Sequence, residues 1–593
     1  MVVVAAIGTP ALASSPGADA RLSNDAAATS GYVSNYNVNN PTTPVIADRA
    51  LAECSRSRGR QNEPSVAVNP RDPRVIVGSS NDYCAVYNDG VDADNAPIPS
   101  GPIWLGYYRS QNGGGSFQSS LVPGYPGDNT PYAARAHIRT ASSGDPVLAW
   151  DGDGRLFAGS ESSDDPAGTP KSFGDVWVAT YQNPGGLAGA TINDGKEFVR
   201  SEIVDKGSSA PNLNGKFNDK TAIAADRTSN SATRGNVYFA NSRFVGSGGS
   251  NIYFYRSTDH GATFSHGALL TTNENDVQDP DIAITGDGTV TVTWSSVLKT
   301  QGGGTTAAVR YAVSRDGGRT FSPAATAATY VSYDAQDTLA SGGPARDCGD
   351  LTSACVSGYH FFRRTTSPRS SADQTNPLDP RVWIVLDPLV SRTPSEKSSY
   401  GAAGPGVAGR SAVQLMTLNP LTRATSALTT VDAQVNGQQL FADVSADRGV
   451  VHLLWWDSRN DSCYSPARPI GNCADGSVVP SLDAYGTSLA SLETIPAAVR
   501  LSDVTTNPNW EQFGGRTVPF AGDYLWVDSA GGTTYSTWTD WRDTVAGDDP
   551  RTPATSTAEV LQCRHLRTTG TFSGDTCPRA GGLDQNIYGD LSP

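Results

Sequence analysis

The chain is long but poor in several residue types. Of its 593 residues only 17% are charged, six are histidines and two are methionines. The histidines show no His-x-x-x-His or similar spacing and no Cys-x2-Cys pair occurs, so a zinc site of a familiar type is not expected. The charge is also one-sided. A formal net charge of −15 excludes a nucleic-acid partner, which needs a basic surface.

Long apolar segments are scarce too. We find no long stretch with the 3.6-residue apolar period of an amphipathic helix, and none beyond the first residues is apolar enough to span a membrane. Glycine (62 residues) and proline (38 residues) are abundant instead. This composition is typical of many short strands joined by turns, and it predicts an all-β fold without a membrane span.

The amino terminus has the features of an export signal followed by a linker. Residues 1–13 form an apolar run that ends in Ala11-Leu12-Ala13, typical of the end of a secretory signal. A basic start is missing, so the true start can lie upstream; the alternative is an alanine-rich tail. Residues 14–58 are rich in Ser, Ala, Asn and Pro and are expected to be a poorly ordered lead-in. We therefore expect a secreted, extracellular protein.

Eight cysteines agree with export. They fall into four sets of sequence neighbours: Cys54 and Cys84, Cys348 and Cys355, Cys463 and Cys473, Cys563 and Cys577. Such spacing suits local disulfides that close long loops in an oxidising compartment. The sequence does not determine which cysteines pair.

One eight-residue pattern occurs three times. Two full copies begin at Ser257 and Ser314 and read Ser-x-Asp-x-Gly-x-Thr-Phe, and a weaker copy spans residues 110–117. Each copy follows a short run with strand character. The Asp can accept hydrogen bonds from backbone N–H groups of a turn, and the Gly can take a positive φ. The pattern therefore predicts a hairpin loop whose aromatic residue packs back between neighbouring sheets.

The pattern resembles the Asp box, or bacterial neuraminidase repeat, of sialidase-like β-propellers. The resemblance implies a propeller fold in which the boxes lie on the outer rim, far from the active site. It is therefore specific for the fold and not for the chemistry.

A longer repeat predicts the same fold. A polar or acidic start, an alternating strand, a Gly/Asp turn and a second strand recur six times, beginning near Asn62, Asp145, Asp219, Asp279, Phe441 and Gly522. A divergent seventh unit lies between about residues 358 and 432. We predict one β-propeller domain over residues 59–593, with six or seven four-stranded blades and a long inserted loop around 340–410.

Propeller geometry converts these repeats into a candidate site. In this architecture the first strand of each blade is innermost, and its start opens on the same face as the loop after the second strand. Residues at these positions should therefore converge at the axis. From them we predict four catalytic candidates, Asp523, Tyr524, Glu63 and Asp219, and six substrate-binding candidates, Arg243, Arg459, Arg542, Asp457, Asp540 and Lys220.

The resemblance also implies roles. Sialidases hold the carboxylate of sialic acid with three arginines, and Arg243, Arg459 and Arg542 resemble that triad. Their nucleophile is a tyrosine activated by a glutamate, for which Tyr524 beside Asp523 is the candidate; an acid or base is needed as well. The Phe/Tyr-Arg-Ile-Pro motif that sialidases carry near the first blade is missing here. A Tyr/Glu pair at the family spacing is missing too.

Structural interpretations compete with this site. An Asp-x-Arg sequence after a strand, as at residues 457–459, commonly forms a salt bridge that ties adjacent blades. Acidic strand starts can also accept bonds from backbone N–H groups at the funnel mouth. A ring of crowded carboxylates needs a counter-charge, which a structural calcium ion can supply; no other cofactor is required.

Three functions stay open on the sequence. The first is a secreted sialidase-like exo-glycosidase acting on a terminal, acidic sugar of a glycan. The second is a non-catalytic extracellular propeller that binds a glycan or a protein. The third is a propeller polysaccharide lyase, for which Lys220 near Arg243 is the candidate base. A monomer is expected in each case.

Overall fold

The computed structural model describes residues 16–25, 31–85, 87–91, 97–100, 103–163, 174–208, 215–229, 231–246, 249–272, 274, 276–301, 304–332, 337–338, 344–345, 359, 366–391, 410–465, 468–511, 521–544 and 585–592. Strands dominate this part of the chain. They form seven four-stranded antiparallel sheets, here called blades 1 to 7 in chain order.

The first four blades follow one another without interruption. Blade 1 consists of Gln61–Val68, Ile76–Asp82, Trp104–Ser110 and Gln118–Leu121, and blade 2 of Ser142–Trp150, Leu156–Ser163, Asp175–Gln182 and Glu197–Asp205. Blade 3 consists of Lys216–Ala225, Val237–Val245, Ser250–Ser257 and Ala268–Leu269, and blade 4 of Val277–Ile284, Val290–Gln301, Gly304–Ser314 and Ala325–Ser332. In each blade the strands pair in the order in which they occur in the chain.

Each of the last three blades has an outer strand of two residues, as blade 3 does. Blade 5 consists of Arg369–Ala372, Val382–Leu386, Gln414–Leu418 and Thr429–Thr430, and blade 6 of Gln439–Asp447, Val450–Asp457, Asp483–Leu489 and Val499–Arg500. Blade 7 consists of Trp526–Ala530, Thr533–Asp540, Asn586–Leu591 and, outermost, Ala20–Arg21.

The seven blades close into one ring, a β-propeller. The first strand of each blade packs against the first strand of the next, and that of blade 7 packs against that of blade 1. The predicted all-β propeller of four-stranded blades is therefore confirmed, with seven blades and not six. The divergent unit near residues 358–432 is a complete blade, blade 5, and not an elaboration of its neighbour.

The amino-terminal segment completes blade 7. Ala20–Arg21 pairs antiparallel with Asn586–Leu591, so both ends of the chain lie in one sheet. The helices Asn35–Asn39 and Arg49–Cys54 follow. Where the sequence predicts a poorly ordered lead-in, the described residues between 16 and 58 thus include one strand and two helices. The reason is ring closure, because a strand from the far end of the chain covers the edge that the last blade would otherwise leave unpaired.

Smaller elements lie in the connections. They are the 3-10 turns Ala133–Arg135, Gly186–Ala188, Thr191–Asn193 and Pro508–Glu511 and the strand pairs Tyr87–Val91 with Pro97–Ser100, Asp337–Thr338 with Pro344–Ala345, and Leu389–Ser391 with Arg410–Ser411. Among the described helices, none is long and apolar enough to cross a membrane. Most of the inserted loop expected around 340–410 lies outside the described residues, and 366–391 belongs to blade 5 and its connection.

The hydrophobic core lies between the blades. Large aromatic side chains meet across two of these gaps: Trp104 of blade 1 stacks on Trp177 of blade 2 at 6.0 Å between ring centroids, and Trp456 of blade 6 meets Trp541 of blade 7 at 5.5 Å. All four are fully buried. Because apolar residues fill the gaps between sheets, the polar starts of the innermost strands are left at the axis.

The recurring eight-residue pattern forms the hairpin turn that the sequence predicts. In blade 4 the Asp316 carboxylate accepts from Ser314 Oγ (2.8 Å), from the Thr320 N–H (2.9 Å) and from Thr320 Oγ1 (2.7 Å). The Gly318 N–H donates to Ser314 Oγ at 2.9 Å, and Gly318 has a φ of 76°. Phe321 then packs on Phe254 of blade 3, with ring centroids 4.7 Å apart.

The other two copies repeat this network. In blade 3, Asp259 accepts from Ser257 Oγ and the Thr263 N–H at 2.7 and 2.9 Å. In the weaker copy of blade 1, Asn112 replaces the aspartate and its Oδ1 accepts from the Ser116 N–H at 3.1 Å. All three turns join the third strand to the fourth, on the outer side of their blades. The amide in blade 1 reproduces the acceptor geometry without the charge.

Two disulfides are present in the described part of the chain. Cys54 pairs with Cys84, which ties the second helix to the end of the second strand of blade 1, and Cys463 pairs with Cys473 in a loop of blade 6. Both join cysteines that are neighbours in the sequence. Cys348, Cys355, Cys563 and Cys577 lie outside the described residues.

Candidate functional site

Five of the seven innermost strands start with the same irregularity. In blades 1, 2, 3, 4 and 6 a β-bulge shifts the register between the first two strands. One residue of each bulge has a positive φ, and these residues are Glu63, Asp145, Lys220, Asp279 and Phe441. None is a glycine, although a left-handed backbone costs about 1–3 kcal/mol at other residues. Strain repeated at one place in five blades marks the axial end of these strands as a candidate site.

A cavity opens where these strands begin. Side chains from five different blades line it, among them Lys220, Asp279, Ser367, Arg369, Asp523 and Tyr524. The space that it encloses, including its opening to solvent, is about 570 Å³. Since the innermost strands surround the ring axis, this axial cavity sits on the axis of the propeller.

The Lys220 ammonium occupies the centre of a carboxylate cluster. It forms an ion pair with Asp523, which lies 303 residues away in the sequence. Burial alone would lower the pKa of Lys220, but the surrounding carboxylates raise it well above its usual value. These are, in order of strength, Asp523, Asp145, Asp219 and Asp279. Lys220 is therefore protonated, and it supplies the counter-charge that the ring requires.

Glu63 lies behind this cluster and holds Asp523 in place. Its carboxyl accepts from the Asn81 amide at 2.6 Å and from the Asp523 N–H at 3.1 Å, and only 2% of the residue is exposed. Burial, and then the neighbouring charges of Asp145 and Asp523, raise the pKa of Glu63 well above its usual value. Glu63 thus stays away from the cavity surface, and its carboxyl holds the backbone of Asp523, which lines the cavity.

Asp145 and Asp219 lie on either side of this arrangement. The Asp145 N–H donates to Asn81 Oδ1 at 2.9 Å, so one amide orients both Glu63 and Asp145. Burial raises the pKa of Asp219 to about 6, despite the opposing charge of Lys220. Both carboxyls belong to the buried cluster and not to the lining of the axial cavity.

Asp279 is the second carboxyl on the cavity wall. Ser367 Oγ donates to Asp279 Oδ2 at 2.7 Å. Burial raises the pKa of Asp279 above its usual value, although Lys220 acts to lower it. The wall therefore carries three carboxyls, those of Asp279, Asp387 and Asp523. Asp523 contacts an ammonium, whereas Asp279 lies beside a neutral hydroxyl.

Arg369 lines the axial cavity and packs against Trp526. The Arg369 guanidinium stacks 4.2 Å from the centre of the Trp526 ring, and its Nε donates to Asp443 at 3.1 Å. Arg369 also lines a second axial cavity of about 700 Å³, together with Trp526 and Asp443. Arg369 therefore lines both cavities, whereas Trp526 lines the second one.

Tyr524 lines the axial cavity but differs from its neighbours. Its ring packs edge-on against Trp526 with centroids 5.8 Å apart. Its hydroxyl is buried and finds no hydrogen-bond partner among the described residues. Burial, and then the charges of Asp145, Glu63 and Asp523, raise the pKa of Tyr524 well above its usual value. The phenol therefore keeps its proton, which does not suit the attacking role that the sequence assigned to it.

The three arginines expected to form a triad lie apart, each held in its own blade. Arg243 pairs with Asp205 at 2.8 Å and stacks on Tyr253 at 3.4 Å. Arg459 and Arg542 stack on tyrosines of their own third strands at 4.0 and 4.1 Å. None of them lines the axial cavity as the described residues define it.

Two of these arginines belong to one repeated structural unit. In blade 6 the Asp457 carboxylate accepts from the Arg459 guanidinium at 2.5 Å. The same guanidinium also reaches Asp432 in the connection from blade 5. In blade 7 the Asp540 carboxylate accepts from Arg542 at 2.6 Å. Arg542 also reaches Asp19, again at 2.6 Å, and the Asp19 N–H donates to Asp503 at 3.0 Å in the connection from blade 6.

Arg243 makes the same kind of link between blades, because Asp205 ends the last strand of blade 2. One carboxylate–arginine link therefore joins two blades, and the other two tie a blade to the connection that precedes it. This arrangement matches the structural interpretation of the Asp-x-Arg pairs, and it takes all three guanidinium groups away from the axis.

The residues that sequence reasoning passed over come mostly from blades 4 and 5. Asp279 stood among the acidic strand starts but was not selected as a site residue. Ser367 and Arg369 belong to the divergent unit, where no repeat marked the start of the first strand. The signal available in the sequence was a polar residue at the start of the strand that precedes Val382–Leu386. Among the described residues, no group of three His, Cys, Asp or Glu side chains is arranged to hold a metal ion.

Comparisons with known proteins find no matching family and no matching curated sequence. Among solved structures the chain is similar to the GH93 α-L-arabinofuranosidase of Fusarium graminearum, with 11% identity, a TM-score of 0.40 and coverage of 82% of this chain and 99% of that one. It is also similar to a leech intramolecular trans-sialidase (10% identity, TM-score 0.36, 73% and 70% coverage). A third similar structure is that of the Trypanosoma rangeli sialidase, with 11% identity, a TM-score of 0.33 and coverage of 68% of this chain and 52% of that one. The strand order, and not these distant likenesses, establishes the fold.

Proposed function

We propose that this chain is a secreted glycoside hydrolase that cleaves a terminal sugar in the axial cavity. The observation that carries the proposal is a pair of carboxyls on the cavity wall with different partners: Asp523 contacts the Lys220 ammonium, and Asp279 accepts from the Ser367 hydroxyl. Hydrolysis of a glycosidic bond needs one carboxyl that gives a proton to the leaving oxygen and one carboxylate that attacks or activates water.

Asp523 fits the ionised role. The Lys220 ammonium stabilises its charge, and the Glu63 carboxyl fixes its backbone N–H at 3.1 Å. A carboxylate held in this way can attack the anomeric carbon or accept a proton from an attacking water. Lys220 is then a positioning residue, because it keeps Asp523 ionised and oriented.

Asp279 fits the acid role. Its burial favours the protonated carboxyl, and Ser367 holds one of its oxygens at 2.7 Å. A carboxylic acid with a raised pKa is the group that protonates a leaving alkoxide near neutral pH.

Export is supported separately. The two disulfides, Cys54–Cys84 and Cys463–Cys473, are typical of an oxidising compartment outside the cytosol. Together with the apolar run over residues 1–13, they favour a secreted enzyme that meets glycans outside the cell.

The alternative functions find different degrees of support. A polysaccharide lyase needs an unprotonated base near an arginine, whereas Lys220 keeps its proton and Arg243 pairs with Asp205. A non-catalytic glycan-binding propeller keeps more support, because most polar groups of the cavity already pair with one another. Activity measurements distinguish it from the enzyme.

The test is hydrolysis of a panel of 4-nitrophenyl glycosides by the purified full chain. Asp523→Asn and Asp279→Asn should each lower kcat by at least about 100-fold while the sugar still binds. The matched control is Asp475→Asn in an exposed turn, which should keep full activity. Release of 4-nitrophenol by neither the wild type nor the control, on any glycoside, contradicts an enzyme and leaves the binding propeller.

A further inference from the structure

Asn81, in the second strand of blade 1, has a buried side-chain amide with a fixed orientation. The Asp145 N–H of blade 2 donates to Asn81 Oδ1 at 2.9 Å. A backbone N–H can only donate, so this bond determines which end of the amide carries the oxygen. The Asn81 Nδ2 group therefore faces Glu63 and donates to Glu63 Oε2 at 2.6 Å. It also donates to Asn62 Oδ1 at 3.2 Å.

Both oxygens of Glu63 accept hydrogen bonds from N–H groups. Oε2 accepts from Asn81, and Oε1 accepts from the Asp523 N–H at 3.1 Å. A carboxyl can fill both acceptor roles, whereas a glutamine has only one acceptor oxygen. The position therefore requires a carboxyl, and Asn81 determines how that carboxyl is oriented.

Gly522 brings the segment ahead of blade 7 close enough for this contact. Its φ is 85°, and a Cβ at this position would lie 2.5 Å from Glu63 Cγ and 2.7 Å from the Glu63 backbone nitrogen. A side chain here would therefore clash with Glu63, and it would also strain the left-handed backbone. The close approach of Glu63 to the residue before Asp523 is thus built into the backbone.

We infer that Asn81 is a positioning residue for the reaction in the axial cavity, and that it acts through the Glu63 carboxyl on the backbone of Asp523. The inference rests on the proposed function. Asn81 orients Glu63, Glu63 holds the Asp523 N–H, and the Asp523 carboxylate then meets the Lys220 ammonium. Asn81 and Glu63 are not among the described residues that line the cavity. Their effect is on the placement of the carboxylate and not on contacts with the sugar.

The first variant is Asn81→Asp, which replaces the amide NH₂ by an oxygen of similar size. An acceptor would then face the Glu63 acceptor, while the bond from the Asp145 N–H can still form. In the purified full chain kcat on a 4-nitrophenyl glycoside should fall at least about 10-fold, because Asp523 is misplaced. KM should stay within about twofold, because the residues that contact the sugar are unchanged.

A reciprocal exchange tests the direction of the hydrogen bond. Glu63→Gln alone leaves one acceptor oxygen for two N–H donors, and it should also lower kcat; it serves as the single variant if Asn81→Asp does not fold. In the double variant Glu63→Gln/Asn81→Asp the new amide can donate to the new carboxylate and still accept from the Asp523 N–H. We expect kcat to return to within about threefold of the wild type. Recovery stays incomplete because the bond to Asn62 is lost. A double variant no better than the worse single variant contradicts the inference.

Asn241→Asp is the matched control. Asn241 lies in the second strand of blade 3, is fully buried and donates to Asn218 Oδ1 at 2.9 Å, a bond that involves neither Glu63 nor Asp523. This variant should lower Tm and leave kcat unchanged. An equal loss of kcat in Asn241→Asp and Asn81→Asp would mean that any buried amide of an inner strand has this effect, and it would overturn the role assigned to Asn81.

The outcomes separate this inference from the proposed function. Hydrolysis by the wild type with unchanged kcat in Asn81→Asp rejects the positioning role and keeps the enzyme. If the wild type hydrolyses no glycoside, the proposed function fails, and crystal structures of the same variants test the contacts. The Asp523 carboxylate should then leave Lys220 in the single variant and return to it in the double variant. An Asp523 that stays in place in the single variant overturns the inference.

Discussion

Lys220 in blade 3 and Asp523 ahead of blade 7 form an ion pair across the propeller axis, although 303 residues separate them in the sequence. The pair joins two innermost strands that are not neighbours in the ring. It also sets the charge state of the axial cavity, because the lysine neutralises one carboxylate and lies among three more. Stability and chemistry are therefore coupled at this point.

Removal of the lysine should destabilise the fold. Lys220→Met leaves the Asp523 and Asp145 carboxylates without a counter-charge in a buried place, and we expect a loss of about 3 kcal/mol in the free energy of unfolding. The matched control is Lys216→Met in the same strand, whose ammonium pairs with Asp205 at 3.1 Å nearer the surface. It should cost less than about 1 kcal/mol. Equal effects of the two variants in urea denaturation would contradict a special role for Lys220.

Stability should increase as the pH falls from 7 to 5. Burial raises the pKa values of Asp219 and Asp443 to about 6, whereas an unfolded Asp titrates near 3.9. The folded state thus binds protons that the unfolded state releases. The resulting stabilisation is complete below about pH 4 and is lost as the pH rises through about 6.

We expect the free energy of unfolding to be about 2 kcal/mol larger at pH 5 than at pH 7. Asp219→Asn mimics the protonated carboxyl and should flatten the dependence. Denaturation curves at fixed ionic strength check this, and a stability that rises with pH over the same interval would contradict it.

The turn on the outer rim should matter for folding and not for the site. Asp316→Ala removes the acceptor for the Thr320 N–H and hydroxyl, and we expect a loss of about 1–2 kcal/mol in the free energy of unfolding. Arg315→Ala, an exposed side chain in the same turn, is the control and should be nearly neutral. Both variants should bind sugar as the wild type does. A changed affinity would mean that the outer turn influences the axial cavity, a connection that the structure does not show.

The carboxylate–arginine links and the arginine triad suggested by the sequence predict opposite effects of replacing Arg459 and Arg542. The double variant Arg459→Met/Arg542→Met leaves Asp457 and Asp540 buried without their cations. We expect a lower Tm and a loss of about 3 kcal/mol or more in the free energy of unfolding. Sugar affinity and specificity should be unchanged. A stable double variant that loses sugar binding would restore the triad.

The fold was largely accessible from the sequence because each blade repeats the same local interactions. Ser314, Asp316 and Gly318 form their turn from residues within eight positions of one another, so the pattern of side chains alone specifies it. The number of blades was harder to assign. Blade 5 lacks the acidic strand start, and the closing strand of blade 7 comes from residues 20–21, which have no strand-like composition.

The site was accessible in part. The starts of the innermost strands were correctly expected to meet at the axis, since Lys220, Asp523 and Tyr524 line one cavity. The arginines were expected there as well, because they follow second strands that open on the same face. Their positions depend on partners in other blades, such as Asp432 for Arg459, and a motif does not show which partner a guanidinium will reach.

By itself the sequence determined the six clear repeats, the rim turns and the acidic character of the axis, because these follow from patterns within single blades. Only the tertiary structure decided which of the acidic residues face the cavity, which cations they neutralise and which hydroxyl is left open. Ring closure brings Lys220 to Asp523 and leaves Tyr524 without a partner among the described residues. Those contacts join distant parts of the chain, and their energies depend on burial that no local pattern records.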